Sequence, residues 1–402
     1  MGPVDTGKWL TILGLGEDGP DGLSPASREA LLEAEIVIGP PRHLALLGTI
    51  SAKTCPWPVP FADGIPKLLS FRGRKTVVLV SGDPFWFGAG SVIARHVAPS
   101  EWRALPGAST FSLAAAELGW PLEDVLCRGL HAVPFARLRP DLAPGRRLVV
   151  TVRDGAAVAE LAAFLTEAGF GDSHLHVLET LGGPRARARM TPANKYDLAD
   201  VSHPVAVAIE VAGRGRALHK SSGQSDDTFH HDGQITKRPI RAMTLSALAP
   251  RPGELLWDIG AGSGSVALEW LLSDPSTKAI AIEARPDRAE TIRRNAEGLG
   301  QDRLQVIEGT APDALHDLPL PNAVFIGGGL NADLLSWLEV RLAPGTRIVV
   351  NAVTLETEAL LIDAAARLGG SLLRLELSEA QPLGRFRGWK ASYPLVQWSA
   401  VL

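Results

Sequence analysis

The stretch Leu255-Leu256-Trp257-Asp258-Ile259-Gly260-Ala261-Gly262-Ser263-Gly264-Ser265-Val266 runs from apolar residues through alternating glycines into polar and apolar ones. It admits little besides a strand that turns sharply into a helix. Glycines at 260, 262 and 264 remove the Cβ atoms that would hold a ligand away, so backbone N–H groups and the next helix's N-terminus face its polar atoms. A dinucleotide-binding turn needs Gly-x-Gly-x-x-Gly, and here the third glycine position is Ser265. Asp258 at the strand end suits instead a ligand with an ammonium group. A second apolar run, Ala279-Ile280-Ala281-Ile282-Glu283, ends in another acid, placed to accept hydrogen bonds from two ribose hydroxyls. A purely structural turn accounts for the glycines but not for both acids.

A chain of 402 residues exceeds what one hydrophobic core usually serves, so two domains are expected. A net charge of −4 and the lack of a long Lys/Arg run argue against nucleic acid as a partner. Two cysteines, Cys55 and Cys127, make neither a metal quartet nor a disulfide framework, which fits a reducing cytoplasm. Met1-Gly2-Pro3-Val4-Asp5 lacks the basic and apolar regions of a signal peptide, and no apolar run reaches spanning length; no membrane association is expected.

From the N-terminus, Trp9-Leu10-Thr11-Ile12-Leu13 reads as a strand followed by Gly14-Leu15-Gly16-Glu17-Asp18-Gly19, which matches Gly-x-Gly-x-x-Gly. The match is misleading, because the helix should begin only after Ser24 as N-cap, with Pro25 at its first position, and the next strand, Ile36 to Gly39, ends without an acid. Thr76 to Val80 is a β-branched strand entering the turn Ser81-Gly82-Asp83-Pro84-Phe85-Trp86-Phe87-Gly88. Leu105-Pro106-Gly107-Ala108-Ser109-Thr110 leads into a helix from Phe111 to Leu118 that Gly119 closes. Leu148 to Val152, a helix from Ala156 to Glu167 and a strand from His174 to Leu178 begin a second lobe. Strands alternating with helices predict mostly parallel sheets. Residues 212–233 are polar and without hydrophobic period, which predicts domains at 1–211 and 234–402 joined by a linker. His230-His231-Asp232 and His174-x-His176 are candidate metal ligands by composition, but their geometry is poor and no metal site is expected.

Gly14-Leu15-Gly16, Ser81-Gly82-Asp83-Pro84 and Pro106-Gly107-Ala108-Ser109 together resemble the tetrapyrrole methylases, and residues 9 to 211 carry the likeness. It implies two α/β lobes flanking a cleft, with Gly82, Asp83, Ser109 and Thr110 at an S-adenosylmethionine site and the first glycine loop helping to hold a macrocycle. Gly129-Leu130-His131 and Glu179-Thr180-Leu181-Gly182-Gly183-Pro184 are similar to the branch that methylates C5 of a precorrin. Asp258-x-Gly260-x-Gly262-x-Gly264 looks like the first motif of Rossmann-like S-adenosylmethionine-dependent methyltransferases. The segment around Thr236 and Ile326-Gly327-Gly328-Gly329 resemble the decarboxylating C15 methyltransferases of cobalamin biosynthesis. That likeness implies a second donor site at Thr236, Asp258, Gly260, Ala261, Gly262, Ser263, Gly264 and Glu283, with Ala311 in a loop beside the adenine. The expectation is an α/β chain with one donor per domain, methylating C5 and C15 of a precorrin and decarboxylating its C12 acetate. The two likenesses also imply a homo-oligomer, dimeric through the first domain and tetrameric through the second.

Methyl transfer from a sulfonium needs alignment more than a strong acid or base, so a missing nucleophile triad fits, and no catalytic residue stands out. Arginines are the natural partners of a polycarboxylate substrate. Arg185, Arg187 and Arg189 share a face if extended, and Arg238 and Arg241 lie one helical turn apart near the second glycine turn. Two other readings remain open on sequence: a tetrapyrrole carrier, which would bind without turnover, and a nicotinamide-dependent oxidoreductase, which Ser265 and the strand-end acids oppose.

Overall fold

The computed structural model describes residues 7–402, so the reading of Met1 to Asp5 lies outside the described residues. The chain forms two compact units, one reaching Pro134 and resuming at Leu142–Arg216, the other made of Phe135–Asp141 and Ala217–Leu402. Among the described residues no helix is long and apolar enough to cross a membrane.

The first unit holds two sheets. Strands β1 (Leu10–Leu15), β2 (Ile36–Gly39), β3 (Lys53–Pro56), β4 (Thr76–Ser81) and β5 (Trp102–Leu105) pair in the order β3-β2-β4-β1-β5, all parallel. Alternation sorts their side chains: Leu10, Ile12, Val78 and Val80 pack on one face with Trp9 and Trp57, while Leu13, Leu15, Val77 and Leu79 pack on the other. The second sheet, β6 (Val125–Gly129), β7 (Arg147–Thr151), β8 (His174–Glu179), β9 (Arg187–Pro192) and β10 (Val205–Glu210), departs from the expected parallel pattern. Only β6 and β7 run parallel; β10 enters between β7 and β8 antiparallel to both, and β8 and β9 form an antiparallel pair. The connection from β8 to β9, residues 180–186, contains no helix to carry a parallel crossover.

The second unit has one large sheet of β11 (Leu255–Ile259), β12 (Lys278–Glu283), β13 (Leu304–Glu308), β14 (Ala323–Ile326), β15 (Arg347–Ala352), β16 (Ser371–Leu375) and, after a projecting hairpin of β17 (Ser378–Leu383) and β18 (Phe386–Ala391), β19 (Leu395–Val401). Its order is β13-β12-β11-β14-β15-β19-β16, parallel through β15, with β19 antiparallel to both neighbours. The chain reverses its direction of travel between β11 and β14, and the carboxyl end of such a switch point is where open α/β sheets bind ligands. Trp257, Ile259, Ile280 and Ile282 pack one face against the helices Ala332–Arg341 and Leu355–Leu368; Leu256, Ala279 and Ala281 pack the other against Arg238–Leu248 and Ser265–Ser273.

Residues 217–233, expected to be linker, belong to this unit. Phe229 is buried in the core with Leu245, Leu248 and Trp270, and the backbone N–H groups of Gly223 and Gln224 donate to the buried Glu269 carboxylate at 2.6 and 2.8 Å. The segment lacks hydrophobic period because it is fixed by polar bonds and one aromatic anchor. Phe135–Asp141 joins the same unit, where Arg137 pairs with Asp302 at 2.7 Å.

Candidate functional site

Each unit has a cavity at the carboxyl ends of its parallel strands. In the first, three loops meet backbone to backbone: Gly82 N–H donates to Leu15 O at 3.1 Å and Gly107 N–H to Gly82 O at 3.1 Å. A Cβ on Gly14 would stand 1.8 Å from Gly82 O, and one on Gly82 2.7 Å from Ala108 O. These glycines are fixed by mutual approach of the loops. Ser109 caps the helix Thr110–Leu118, its Oγ accepting from Ser112 N–H at 3.0 Å, and the Asp83 carboxylate accepts from Phe85 N–H at 2.8 Å. Gly82, Asp83, Ser109 and Thr110 all line one cavity of about 310 Å³, with Trp86 and Phe87 packed against Phe111 on its wall.

One end of this cavity is polar, and sequence reasoning missed it. Arg42, from the helix Pro41–Leu47, forms an ion pair with the buried Glu17 of the first glycine loop. Its Nη2 also donates to His43 Nε2 at 2.8 Å and reaches Ser81 Oγ at 3.3 Å. Burial first, and then the charge of Arg42, push the His43 imidazole down to about 4, so it stays a neutral acceptor at pH 7. The available signal was Pro41-Arg42-His43 directly after a buried strand, which carries no recognisable spacing.

The arginine row does not present three free guanidiniums. Arg187 and Arg189 are both held by Glu179, at 2.6 and 3.0 Å. Burial raises that carboxyl, but bonds from Arg187, Ser202 N–H and Arg189 outweigh it and keep it below the usual range. Arg185 lies before β9 and stays exposed. His176 pairs with Glu210 at 3.1 Å, and among the described residues no cluster is arranged to hold a metal ion.

In the second unit the glycine turn stands at the switch point. Gly260 N–H and Ala261 N–H both donate to Ile282 O, at 2.9 and 3.1 Å. The three glycines serve different ends: a Cβ at Gly260 would meet Gly328 O at 2.6 Å and one at Gly264 would meet Ile292 at 2.8 Å, whereas one at Gly262 would meet nothing within 4 Å. Gly260 and Gly264 are therefore required by the protein's own packing, while Gly262 faces open space. Glu283 takes one bond on each oxygen, from Gly262 N–H at 2.8 Å and Arg285 N–H at 3.1 Å, and each oxygen retains acceptor capacity. Asp258 is 1% exposed; one oxygen accepts from Ala267 N–H at 3.0 Å and Oδ1 has no partner. Burial, aided by the Glu283 charge, pushes its carboxyl up to about 7.

Thr236, Gly260, Ala261, Gly262, Ser263, Glu283 and Ala311 line a cavity of about 1010 Å³, and Asp258 and Gly264 are not among its lining residues. Val353, Leu375, Leu377 and Leu395 add apolar surface to its lining, interspersed with Glu379, Ser392 and Tyr393. Arg241, a candidate for the substrate, is fully buried instead. Its guanidinium donates to Glu269 at 2.6 Å, Asp226 at 3.0 Å and the carbonyls of Gln224 and Thr236, and lies 4.8 Å from the Phe229 ring centre. Arg238, one turn earlier, is exposed.

Comparison with known proteins gives two family matches, Tetrapyrrole (Corrin/Porphyrin) Methylases over residues 10–195 and Precorrin methyltransferase domain over residues 227–402. The chain is 47% identical over 402 residues to a precorrin-6Y C(5,15)-methyltransferase [decarboxylating] of Sinorhizobium, covering 99% of this chain and 97% of that one. It is 31% identical over 166 residues to a cobalt-precorrin-6B C(15)-methyltransferase (decarboxylating) of Salmonella typhimurium, covering 40% of this chain and 85% of that one. A crystal structure of the C-terminal domain of precorrin-6Y C5,15-methyltransferase from Rhodobacter capsulatus is 56% identical over 46% of this chain and 100% of its own, with a TM-score of 0.45.

Proposed function

The chain belongs to the precorrin-6Y C5,15-methyltransferases (decarboxylating), and from that premise we propose that its two units divide the work, each with its own donor site. The enzyme uses S-adenosylmethionine and acts on a precorrin in cobalamin biosynthesis. The first unit methylates C5; the second methylates C15 and removes the C12 acetate carboxyl. The observation that carries this division is the pair of glycine-walled cavities, each lined by residues of one unit alone. The similarity of the second half to a protein named for C15 methylation and decarboxylation supports it.

The residues fit the donor. In the second unit Gly262 leaves open space, Glu283 has acceptor capacity for ribose hydroxyls, Thr236, Ala261, Ser263 and Ala311 complete the wall, and Asp258, buried and off that wall, keeps an unpartnered oxygen whose charge an ammonium group would stabilise. In the first, Gly82, Asp83, Ser109 and Thr110 play the corresponding part. Bound S-adenosylmethionine supplies an electrophilic methyl group. The protein's contribution is alignment, and holding acceptor carbon and methyl group in line is worth about 7–11 kcal/mol of barrier. For the decarboxylation, Val353, Leu375, Leu377 and Leu395 offer the acetate apolar surface against which its carboxylate loses hydration. The bond between its carboxyl and methylene carbons breaks, CO2 leaves, and the electron pair passes into the conjugated macrocycle until the carbon is reprotonated.

Calorimetric titration of the whole chain with S-adenosylhomocysteine is expected to find two molecules per chain, and mass spectrometry of the product two added methyl groups with one CO2 lost. A single binding event together with both methylations would overturn the division.

We also infer a homo-oligomer in the cytoplasm. The β17–β18 hairpin exposes Leu383, Phe386 and Trp389 at 69, 76 and 79%, apolar surface that a second copy would cover, and both cysteines are free. Light scattering should give a mass above the monomer, which Phe386→Asp with Trp389→Asp should reduce; a monomer at micromolar concentration in the unaltered protein refutes this.

A further inference from the structure

The substrate of the first unit bears several carboxylates, yet its cavity is lined by two carboxylates, Glu17 and Asp83, and among the described residues by one cation, Arg42. A polyanion entering such a cavity meets net repulsion unless that cation is turned towards it. Arg42 is built for the purpose. Its side chain is 30% exposed while that of its partner Glu17 is 8% exposed, so Arg42 is the more accessible member of the pair even though its Nη1 is buried. His43 Nε2 and Ser81 Oγ fix the orientation of the fork. The neutral His43 adds no competing charge at pH 7. Arg185, exposed and near enough for its charge to be felt at Arg42, adds positive potential there.

We propose that Arg42 is the carboxylate-binding residue of the first cavity, exchanging part of its bonding to Glu17 for a side-chain carboxylate of the macrocycle. The macrocycle is favoured over the donor's own carboxylate because the donor's amino-acid end is internally neutralised by its ammonium, whereas the macrocycle brings unbalanced negative charge. The inference rests on the reading of this cavity as the C5 site.

The test uses the full-length enzyme with Arg42→Gln, Arg42→Lys and Glu17→Gln, each checked for an unchanged unfolding temperature. Arg42→Gln should raise KM for the macrocycle in C5 methylation by about tenfold or more, the scale of a lost charge-assisted hydrogen bond. S-adenosylhomocysteine binding should hold at two per chain, and C15 methylation should be unchanged. Arg42→Lys should recover part of the loss, and Glu17→Gln should lower KM by freeing the guanidinium. With a substrate whose side-chain carboxylates are amidated, the wild type and Arg42→Gln should become alike. Unchanged KM in Arg42→Gln, or weaker S-adenosylhomocysteine binding with unchanged KM, overturns the proposal; a misfolded Arg42→Gln leaves the decision to Glu17→Gln, where a KM that does not fall counts against it. Only one S-adenosylhomocysteine per chain in the wild type would instead remove the C5 reading, and this inference with it.

Discussion

Replacing Gly262 by Val is expected to abolish C15 methylation and decarboxylation while C5 methylation continues. No atom lies within 4 Å of a Cβ built at this position, so the added methyl groups enter the cavity rather than the core. The backbone there has φ +60°, a conformation that costs a β-branched residue about 1–3 kcal/mol, which the second unit has to absorb. The donor loses more, because the branched side chain occupies the opening that the loop keeps clear. Titration should find one S-adenosylhomocysteine per chain in place of two. Asp83→Ala should give the opposite product, decarboxylated and methylated at C15 but lacking the C5 methyl group. Mass spectrometry distinguishes the two, and loss of both methyl groups in either variant, with the fold intact, would sink the two-site reading. Gly260→Val makes a useful contrast: its Cβ collides with Gly328 O, so it should cost stability as well as binding.

Donor binding to the second unit should strengthen as pH rises through 7 and should release a proton below that point. Asp258 sits at about 7 against an ordinary 3.8, chiefly because it is buried. Folding therefore holds a proton that the unfolded chain gives up near pH 4. The contribution is fully favourable below about 4, declines as pH rises, and is lost once pH passes 7, a swing on the order of 4 kcal/mol at most. An ammonium group beside Oδ1 would favour the carboxylate and pull the titration down. Calorimetry with S-adenosylhomocysteine at pH 6, in buffers of different ionisation enthalpy, should show the released proton; at pH 9 it should vanish. Asp258→Asn should flatten the dependence and stabilise the ligand-free protein above pH 7. Absence of proton release at pH 6 in the wild type would mean that the acid does not face the ligand's cation.

Much of this architecture is legible in the sequence because its signals are local. Ser24 and Pro25 begin a helix, Ser109 caps another, Gly119 ends it in the left-handed conformation, and the apolar runs at Leu10, Thr76, Leu255 and Ala279 are strands. What escapes reading depends on partners distant in sequence. Arg241 looks like a surface cation on a helix until Glu269, Asp226 and two carbonyls close around it. Residues 217–233 look like linker because burial there is paid for by hydrogen bonds, which leave no apolar period. The direction of β10 is equally silent, since a strand's own sequence does not record which neighbours it will lie between. The separate parts of the glycines were equally hidden: of those at 260, 262 and 264, only Gly262 leaves open space where a Cβ would stand.

The contact of Gly14, Gly82 and Gly107 has an implication for how such a lobe changes over generations. Gly14 and Gly82 leave no room for a Cβ because another segment's backbone already stands there, so a methyl group at either has to push a whole loop away. No second substitution elsewhere creates the missing space, and this loop junction is closed to stepwise drift. Inherited variation in what the lobe accepts has to enter through the side chains that line its cavity, such as Glu17, Arg42, Trp86 and His203, which can be exchanged singly while the three loops stay in register.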